Sequence, residues 1–354
     1  MLLQINGSLP ARDSSHGVIS VLAVIGPRAQ SIIRGIGRNG AGAAISLSIV
    51  AVALATLYHV LRGVDAGKVI AALEGQPTFG ILSAAALVVA GYANLIGYDL
   101  FALRTIGRRD IPFRIVAFTS FTSYTIGHSL GAATLTCGLL RLRVYSFWDL
   151  DVADVAKIAF ITGLTYWLGN IFVLGVAASY APAALGVIDR LPPLINRLFG
   201  LAGLLAVACY LVWLAPRSRI VGWNSWRIVL PNLRRSFLQI GIGTADRVLA
   251  SLSLYMLLPA MPDVGFVTVL AIFVVATLLG TISHAPGSLG IVEAAMLVGL
   301  AQYQREELLA SLLTFRILDF FLPLLLATVM FGLRELRLAA KRRPIGTPIP
   351  PQTL

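Results

Sequence analysis

A few ionisable residues stand inside or at the ends of long apolar segments, which makes them the candidates for function. A charge in a lipid bilayer is costly, so such a side chain commonly marks a substrate or ion pathway. Arg141 and Arg143 close a Gly-rich apolar stretch, and a guanidinium fork suits a phosphate group. The alternative is that both arginines only set the topology. The candidate residues are Asp99, His128, Arg141, Arg143, Asp246, His284, Glu293 and Arg316, together with Pro286, Gly287 and Gly290.

Glu293 and Arg316 each have a functional and a structural interpretation. Glu293 lies six residues after Gly287, where the start of a helix offers N–H groups to an anion. Its carboxylate suits the amino group of a cationic lipid, or a pair with Arg316. Arg316 and Asp319 are three residues apart, share a helix face and are expected to neutralise each other.

Asp246 and Asp99 also each have a functional and a structural interpretation. Asp246 is followed by Arg247 inside an apolar segment, so a cavity role and an internal salt bridge are both open. Asp99 lies near Arg104 and the membrane interface, which favours a structural role.

His128 and His284 each flank a Gly-rich sequence. A zinc site needs a further ligand, and no suitable His or Cys spacing is present, so no metal and no cofactor are expected. Helix capping or a buried hydrogen bond is favoured over proton-linked switching for both residues. GHSLG at 127–131 matches the Gly-x-Ser-x-Gly pattern, but a nucleophile elbow needs a strand-to-helix turn that this sequence does not predict. We therefore predict that the protein is not an enzyme.

Composition places all these residues in a membrane protein. Of the 354 residues, 57% are hydrophobic and 12% are charged, and the mean hydropathy is +0.84. The apolar runs are long and lack period-2 alternation, which predicts an all-α polytopic bundle. The net charge of +12 lies at the ends of the apolar runs, as the positive-inside rule expects. No basic stretch alternates with aromatic residues, so nucleic acid is not an expected partner.

The basic loops predict the topology. We expect a cytoplasmic segment at 1–40, a transmembrane domain at 41–335 and a basic, Pro-rich cytoplasmic tail at 336–354. The eight predicted spans are 41–61, 78–102, 153–180, 198–216, 236–258, 264–283, 287–305 and 308–333.

One further apolar segment, 115–140, has basic turns at both ends, so it must enter and leave on the same side. So short a segment cannot cross a core of about 30 Å twice. It is therefore predicted to form a re-entrant helical hairpin broken near 127–131. A second broken element, HAPGSLG, occupies 284–290. Paired interruptions indicate a substrate site near the midplane and make the two halves candidates for an internal repeat.

Five segments carry a resemblance to a known family. They resemble the N-terminal membrane domain of the bacterial lysylphosphatidylglycerol synthase/flippase family, the multiple peptide resistance factors, and the likeness covers about residues 45–335. The most specific pieces are a Gly-rich stretch ending in Arg-x-Arg-x-Tyr and a Pro-Gly-x-Leu-Gly-x-x-Glu element. The segments are GYDLFALR (97–104), GHSLGAATLTCGLLRLRVYSFWDL (127–150), ADRVLASLSLYMLLP (245–259), PGSLGIVEAAML (286–297) and RILDFFLP (316–323).

The resemblance implies an inner-membrane protein that moves aminoacylated phosphatidylglycerol between leaflets and lowers the negative charge seen by cationic peptides. No counterpart of the family's soluble aminoacyltransferase domain is present, so lipid synthesis is not expected. Two positions depart from the family pattern: Ser288 stands where a second glycine is usual, and Arg247 where an aromatic residue is usual.

Two functions follow from these observations. The leading hypothesis is translocation of lysyl-phosphatidylglycerol or a related phosphatidylglycerol lipid. The alternative is a lipid-binding or scaffold protein that transports nothing and partners a separate aminoacyltransferase. A second copy of the chain is a further candidate partner.

Overall fold

The computed structural model describes residues 65–129, 133–215, 219–223 and 226–342. The predicted segment 1–40, the predicted span 41–61 and residues 343–354 of the predicted tail lie outside these ranges. The first helices are α1 (Ala66–Glu74), α2 (Thr78–Thr105), α3 (Phe113–Ser129), α4 (Ala133–Tyr145), α5 (Val152–Tyr180), α6 (Pro182–Asp189) and α7 (Pro193–Leu214). After β1 (Ile220–Trp223) and β2 (Trp226–Val229) come α8 (Leu233–Tyr255), α9 (Phe266–Ser283), α10 (Ile291–Gly299), α11 (Arg305–Arg316) and α12 (Leu322–Arg342).

The predicted class, an all-α polytopic bundle, is confirmed. Within the described ranges five helical stretches are long and apolar enough to cross a membrane: α2, α5, α7, α9 and the continuous stretch Arg305–Leu338. The strands form a small antiparallel pair in which Ile220 faces Val229. Helix α8 occupies the predicted span 236–258 and carries Asp246 and Arg247 near its middle.

The predicted span 287–305 is interrupted. A 3-10 turn covers Pro286–Ser288, and the helix that follows, α10, has only nine residues. At a rise of about 1.5 Å per residue, α10 covers roughly half of the hydrocarbon core. The total of eight spans therefore stays a prediction.

Local sequence explains where the main helices begin. The side chain of Asp151 accepts a hydrogen bond from the backbone N–H of Asp154 at 2.8 Å and caps α5. Asn232 caps α8 in the same way through the N–H of Arg235, at 3.1 Å. Such caps satisfy N–H groups that have no partner within the helix.

The loops assigned to opposite sides of the membrane gather in two different hydrophobic clusters. Val69 comes from a connection predicted to face outward, and Leu257 and Tyr303 come from the predicted outward ends of the spans 236–258 and 287–305; all three share one cluster. Ile111, Leu150 and Ile228 come from the basic connections, and they share another. This grouping matches the predicted topology, whereas the cytoplasmic placement of the termini remains a prediction.

Helices α3 and α4 pack against each other as a helical hairpin, as the sequence predicts, and the two ends of this hairpin lie together. Arg108, just before α3, donates hydrogen bonds to the carbonyl oxygens of Trp148 and Asp149, just after α4. Arg108 also binds Asp110 at 2.9 Å and holds the pKa of that carboxyl below its usual range. Residues 130–132, where the predicted break falls, are outside the described ranges.

Gly127 allows the two arms of this hairpin to pack closely. A Cβ at this position would lie 3.0 Å from the backbone nitrogen of Cys137 on α4. The GHSLG serine, Ser129, lies at the end of α3 and donates to the carbonyl oxygen of Thr125 at 2.8 Å. Residues 127–129 therefore form the end of a helix, which is not the strand-to-helix geometry of a nucleophile elbow.

Helices α5 and α8 cross at Gly169 and Gly243. A Cβ on Gly169 would lie 2.5 Å from the Cα of Gly243, and one on Gly243 would lie 2.9 Å from the Cα of Gly169. Small residues at such a crossing let two membrane helices approach backbone to backbone. The crossing fixes α8, and with it Asp246 and Arg247, against α5.

Replacement of Gly243 by alanine is expected to lower the melting temperature of the purified protein in detergent. The added methyl group must push α5 and α8 apart, and overpacking of this kind costs about 1–3 kcal/mol. Gly241→Ala on the same helix is the matched control, because a Cβ there meets nothing within 4 Å. Equal melting temperatures for the two variants would show that the crossing is not tightly packed.

Candidate functional site

A cavity opens between the hairpin, the second broken element and the middle of the long helices. It has two adjoining lobes of about 160 and 190 Å³. The lobes share the lining residues Leu95, Tyr124, His128, Tyr166, Asp246 and Thr281. The first, which we call the charged lobe, is also lined by Tyr92, Arg247, Gly287, Ser288, Arg316, Asp319 and Phe320. The second, the hydroxyl lobe, is also lined by Tyr98, Ser120, Cys137, Arg141 and Thr162.

The two broken elements meet at this cavity. His128 on the hairpin lines both lobes, and Gly287 and Ser288 in the 3-10 turn line the charged lobe. Helix α3 also contacts this turn directly. The sequence predicts a site between these elements, and the fold brings them together.

The second broken element needs an unusual backbone. Gly287 has a φ of 59°, and a Cβ there would lie 2.6 Å from Cζ of Phe320. Ser288 has a φ of 53°, a left-handed conformation that non-glycine residues rarely adopt. Position 288 therefore favours glycine on conformational grounds, and here a serine takes the left-handed conformation.

Arg316 fastens this element to the last long helical stretch. Its guanidinium pairs with Glu293 and also donates to the carbonyl oxygens of Gly287 and Ser288, at 3.1 and 3.3 Å. Glu293 in turn accepts the backbone N–H of Gly290 at 2.7 Å. Of the two alternatives for Glu293, the structure shows the pair with Arg316.

The start of α10 is not the open anion site that the sequence predicts. The helix begins at Ile291, so Glu293 lies in its first turn. There the carboxylate occupies the positive end of the helix, and a second anion would meet its negative charge. Gly290, with a φ of 80°, supplies the residue before the helix, and Pro286 begins the preceding 3-10 turn.

The expected pair between Arg316 and Asp319 is wrong. Arg316 turns to Glu293 instead, because a partner fixed by tertiary packing is available. Asp319 lies in a π-helical turn, Ile317–Phe321, between α11 and α12. Turns of this kind are rare and occur frequently at functional sites. Asp319 lines the charged lobe, and its carboxylate has neither a hydrogen bond nor an ion pair in the described part of the chain.

Asp99 and Arg141 form a buried ion pair, with Asp99 fully buried and Arg141 7% exposed. Arg141 binds both carboxylate oxygens, at 2.6 and 3.2 Å, and Tyr145 donates its hydroxyl to Asp99 at 3.0 Å. The sequence places Asp99 near Arg104, whereas in the structure its partner is Arg141 on the hairpin. Arg141 lines the hydroxyl lobe with its fork already occupied by a carboxylate.

Asp246 and Arg247 also pair with each other. The Nε of Arg247 donates to Asp246 at 3.0 Å, and its guanidinium lies over the ring of Tyr166 at 5.1 Å. Both residues are buried and line the charged lobe. The internal salt bridge considered for Asp246 is therefore present and forms part of the cavity wall.

The remaining candidates lie in different surroundings. Arg143 is 44% exposed and pairs with Glu335 at 2.6 Å. The ring centroids of His128 and Tyr124 are 4.0 Å apart, with the rings tilted by 34°, and Nδ1 of His128 lies 3.0 Å from the carbonyl oxygen of Tyr124. His284 ends α9 with a φ of 55° and is exposed. Thus His128 belongs to the cavity, whereas His284 has the capping role considered for it.

The hairpin helix α3 is rich in serine and threonine. Thr119, Thr122 and Thr125 donate to carbonyl oxygens four residues earlier in the same helix, each at 2.7 Å. Ser120 differs, because its hydroxyl and that of Tyr98 are buried without a hydrogen-bond partner among the described residues. Both line the hydroxyl lobe.

The tyrosines of the cavity wall and the position of Asp319 were not predicted from the sequence. Tyr92, Tyr98, Tyr124 and Tyr166 all contribute to its walls. Tyrosines in apolar segments are usually ordinary core residues. Only their hydroxyl groups, which lie inside long apolar spans and need a hydrogen-bond partner, could have indicated a polar cavity. Together the lobes present paired guanidinium groups, one unpaired carboxylate and buried hydroxyl groups to a bound molecule.

The fold and the comparisons together define a multi-pass helical membrane protein. No family model matches the chain. The uncharacterized protein slr0712 of Synechocystis is 29% identical over 297 residues, 84% of this chain and 92% of that protein. The inner membrane protein YbhN of Escherichia coli K12 is 27% identical over 277 residues, 77% of this chain and 86% of that protein. A phosphatidylglycerol lysyltransferase of Bacillus subtilis is 26% identical over 253 residues, 70% of this chain but 28% of the longer protein. The chain is thus related to bacterial membrane proteins and shares a more distant similarity with the lysyltransferases.

Proposed function

We propose that this protein moves phospholipid between the leaflets of the bacterial inner membrane, with both termini in the cytoplasm. The expected cargo is lysyl-phosphatidylglycerol or a related phosphatidylglycerol lipid. The observation that carries the proposal is the meeting of two interrupted helical elements at a charge-lined cavity halfway along an apolar bundle. Interrupted helices of this kind form the substrate sites of many transporters.

The cavity provides contacts for both ends of a lipid head group. Buried hydroxyls of Tyr98 and Ser120 suit phosphate or glycerol oxygens, and the carboxylate of Asp319 suits a cation. Charged residues inside a bundle lower the cost of carrying a polar group through the hydrocarbon core. Acyl chains can stay in the surrounding lipid while the head group crosses.

Arg143 is the candidate for the first contact with a lipid phosphate on the cytoplasmic side. It is partly exposed and shares Glu335 with Arg334, so two guanidinium groups face one carboxylate. Arg141 and Glu293 support the cavity through their pairs with Asp99 and Arg316. In this assignment Arg141 and Glu293 stabilise the cavity walls, and His128, Asp246 and the turn at Gly287 line the path of the head group.

Reconstitution tests the proposal. Liposomes with acyl-labelled fluorescent phosphatidylglycerol or lysyl-phosphatidylglycerol are treated with dithionite, which reduces only label in the outer leaflet. We expect label from the inner leaflet to become reducible in vesicles that contain the protein. Equal accessible fractions in vesicles with and without protein would overturn transport. Lipid that co-purifies under that outcome would indicate the binding or scaffold function, with a separate aminoacyltransferase as partner.

A further inference from the structure

The charged residues around the cavity form three ion pairs, and one carboxylate has no partner among the described residues. Arg141 is bound to Asp99, Arg247 to Asp246, and Arg316 to Glu293. Asp319 lines the charged lobe without a hydrogen bond or an ion pair to any described residue. A carboxylate in a membrane protein is stabilised by a nearby cation. The described protein groups that line the lobe do not supply one to Asp319 by direct contact.

The backbone around Asp319 is held in a defined position. The hydroxyl of Tyr92 on α2 donates to the carbonyl oxygen of Asp319 at 2.9 Å, within the π-helical turn. This bond crosses between two long helices and fixes the turn beside the cavity. Tyr92 and Phe320 also bring aromatic rings to the lobe, and ring faces attract organic cations.

The adjoining hydroxyl lobe carries the second, independent observation. Tyr98 is 6% exposed and Ser120 is 2% exposed, and neither hydroxyl has a partner among the residues described. A buried hydroxyl without a hydrogen bond is costly, so these groups call for a ligand or ordered water. Hydroxyl donors suit phosphodiester oxygens, whereas Asp319 suits a positive group.

We propose that Asp319 binds the primary ammonium group of an aminated phospholipid, while the hydroxyl lobe takes its phosphodiester. This inference rests on the proposed function and names the head-group chemistry that the cavity selects. We assign the ammonium to Asp319 rather than to Glu293, because both carboxylate oxygens of Glu293 are already bound by Arg316 and Gly290. Phosphatidylethanolamine and aminoacylated phosphatidylglycerol both supply this chemistry, whereas phosphatidylglycerol does not.

The test compares three acyl-labelled lipids in the dithionite assay: phosphatidylethanolamine, lysyl-phosphatidylglycerol and phosphatidylglycerol. The wild-type protein is expected to move one or both aminated lipids faster than phosphatidylglycerol. Asp319→Asn should slow the favoured lipid by about tenfold, as expected for loss of a hydrogen bond to a charged group, so that its rate approaches that of phosphatidylglycerol. Asp319→Glu keeps the charge and should keep the preference. Asp263→Asn, in the exposed connection between α8 and α9, is the matched control.

The outcomes separate this inference from the proposed function. Equal rates for all three lipids, or a preference that survives Asp319→Asn, would overturn the ammonium site while transport stands. If the wild-type protein moves phosphatidylglycerol faster than both aminated lipids, that result alone would overturn the ammonium site. If no lipid moves in the wild-type protein, the proposed function itself fails. Which aminated lipid moves faster identifies the source of the ammonium group.

Discussion

Asp99→Asn is expected to destabilise the protein by about 3–5 kcal/mol, because loss of one partner leaves a buried charge uncompensated. Asp99 is fully buried and receives two hydrogen bonds from Arg141 and one from Tyr145. The variant removes the negative charge while Arg141 stays buried between the hairpin and α2. Thermal or denaturant unfolding in detergent measures the change in the free energy of unfolding.

The double variant Asp99→Asn/Arg141→Gln provides the internal check. It removes both charges, so it should recover much of the stability lost in the single variant. Glu335→Gln is the control at a partly exposed site, because it breaks the pairs with Arg143 and Arg334 and should cost about 0–1 kcal/mol for each. A double variant no more stable than Asp99→Asn would show that the loss comes from packing rather than from the unpaired guanidinium.

Much of the architecture could be predicted because lipid restricts the chain so severely. The hairpin followed from two basic turns that flank a segment too short to cross twice, and the structure brings its ends together through Arg108. Asp151 and Asn232 cap helices near the predicted starts of two spans. Length, hydropathy and charge distribution carry this information within each segment.

The pairing of charges could not be predicted in the same way. Asp99 and Arg141 are 42 residues apart, and their contact depends on how the hairpin packs against α2. Proximity in sequence favoured Arg316 with Asp319, yet the fold brings Glu293 to Arg316 from the broken element. The unpaired state of Asp319 follows from that tertiary choice, so no local pattern could indicate it.

Gly91→Phe is expected to abolish lipid movement while the protein stays folded. Gly91 lines the charged lobe, and a Cβ there meets nothing within 4 Å, so a larger side chain can extend into the cavity. An apolar cavity of about 150 Å³ is large enough to hold benzene. A phenyl ring should therefore fill much of this lobe, whose volume is about 160 Å³.

The dithionite assay on this variant tests the central claim most directly. Gly241→Phe is the matched control, since Gly241 is exposed on α8 and equally uncrowded, and it should move lipid at the wild-type rate. The account predicts that Gly91→Phe vesicles resemble protein-free vesicles while the melting temperature is retained. Wild-type lipid movement by a folded Gly91→Phe protein would show that the head group does not pass through this cavity.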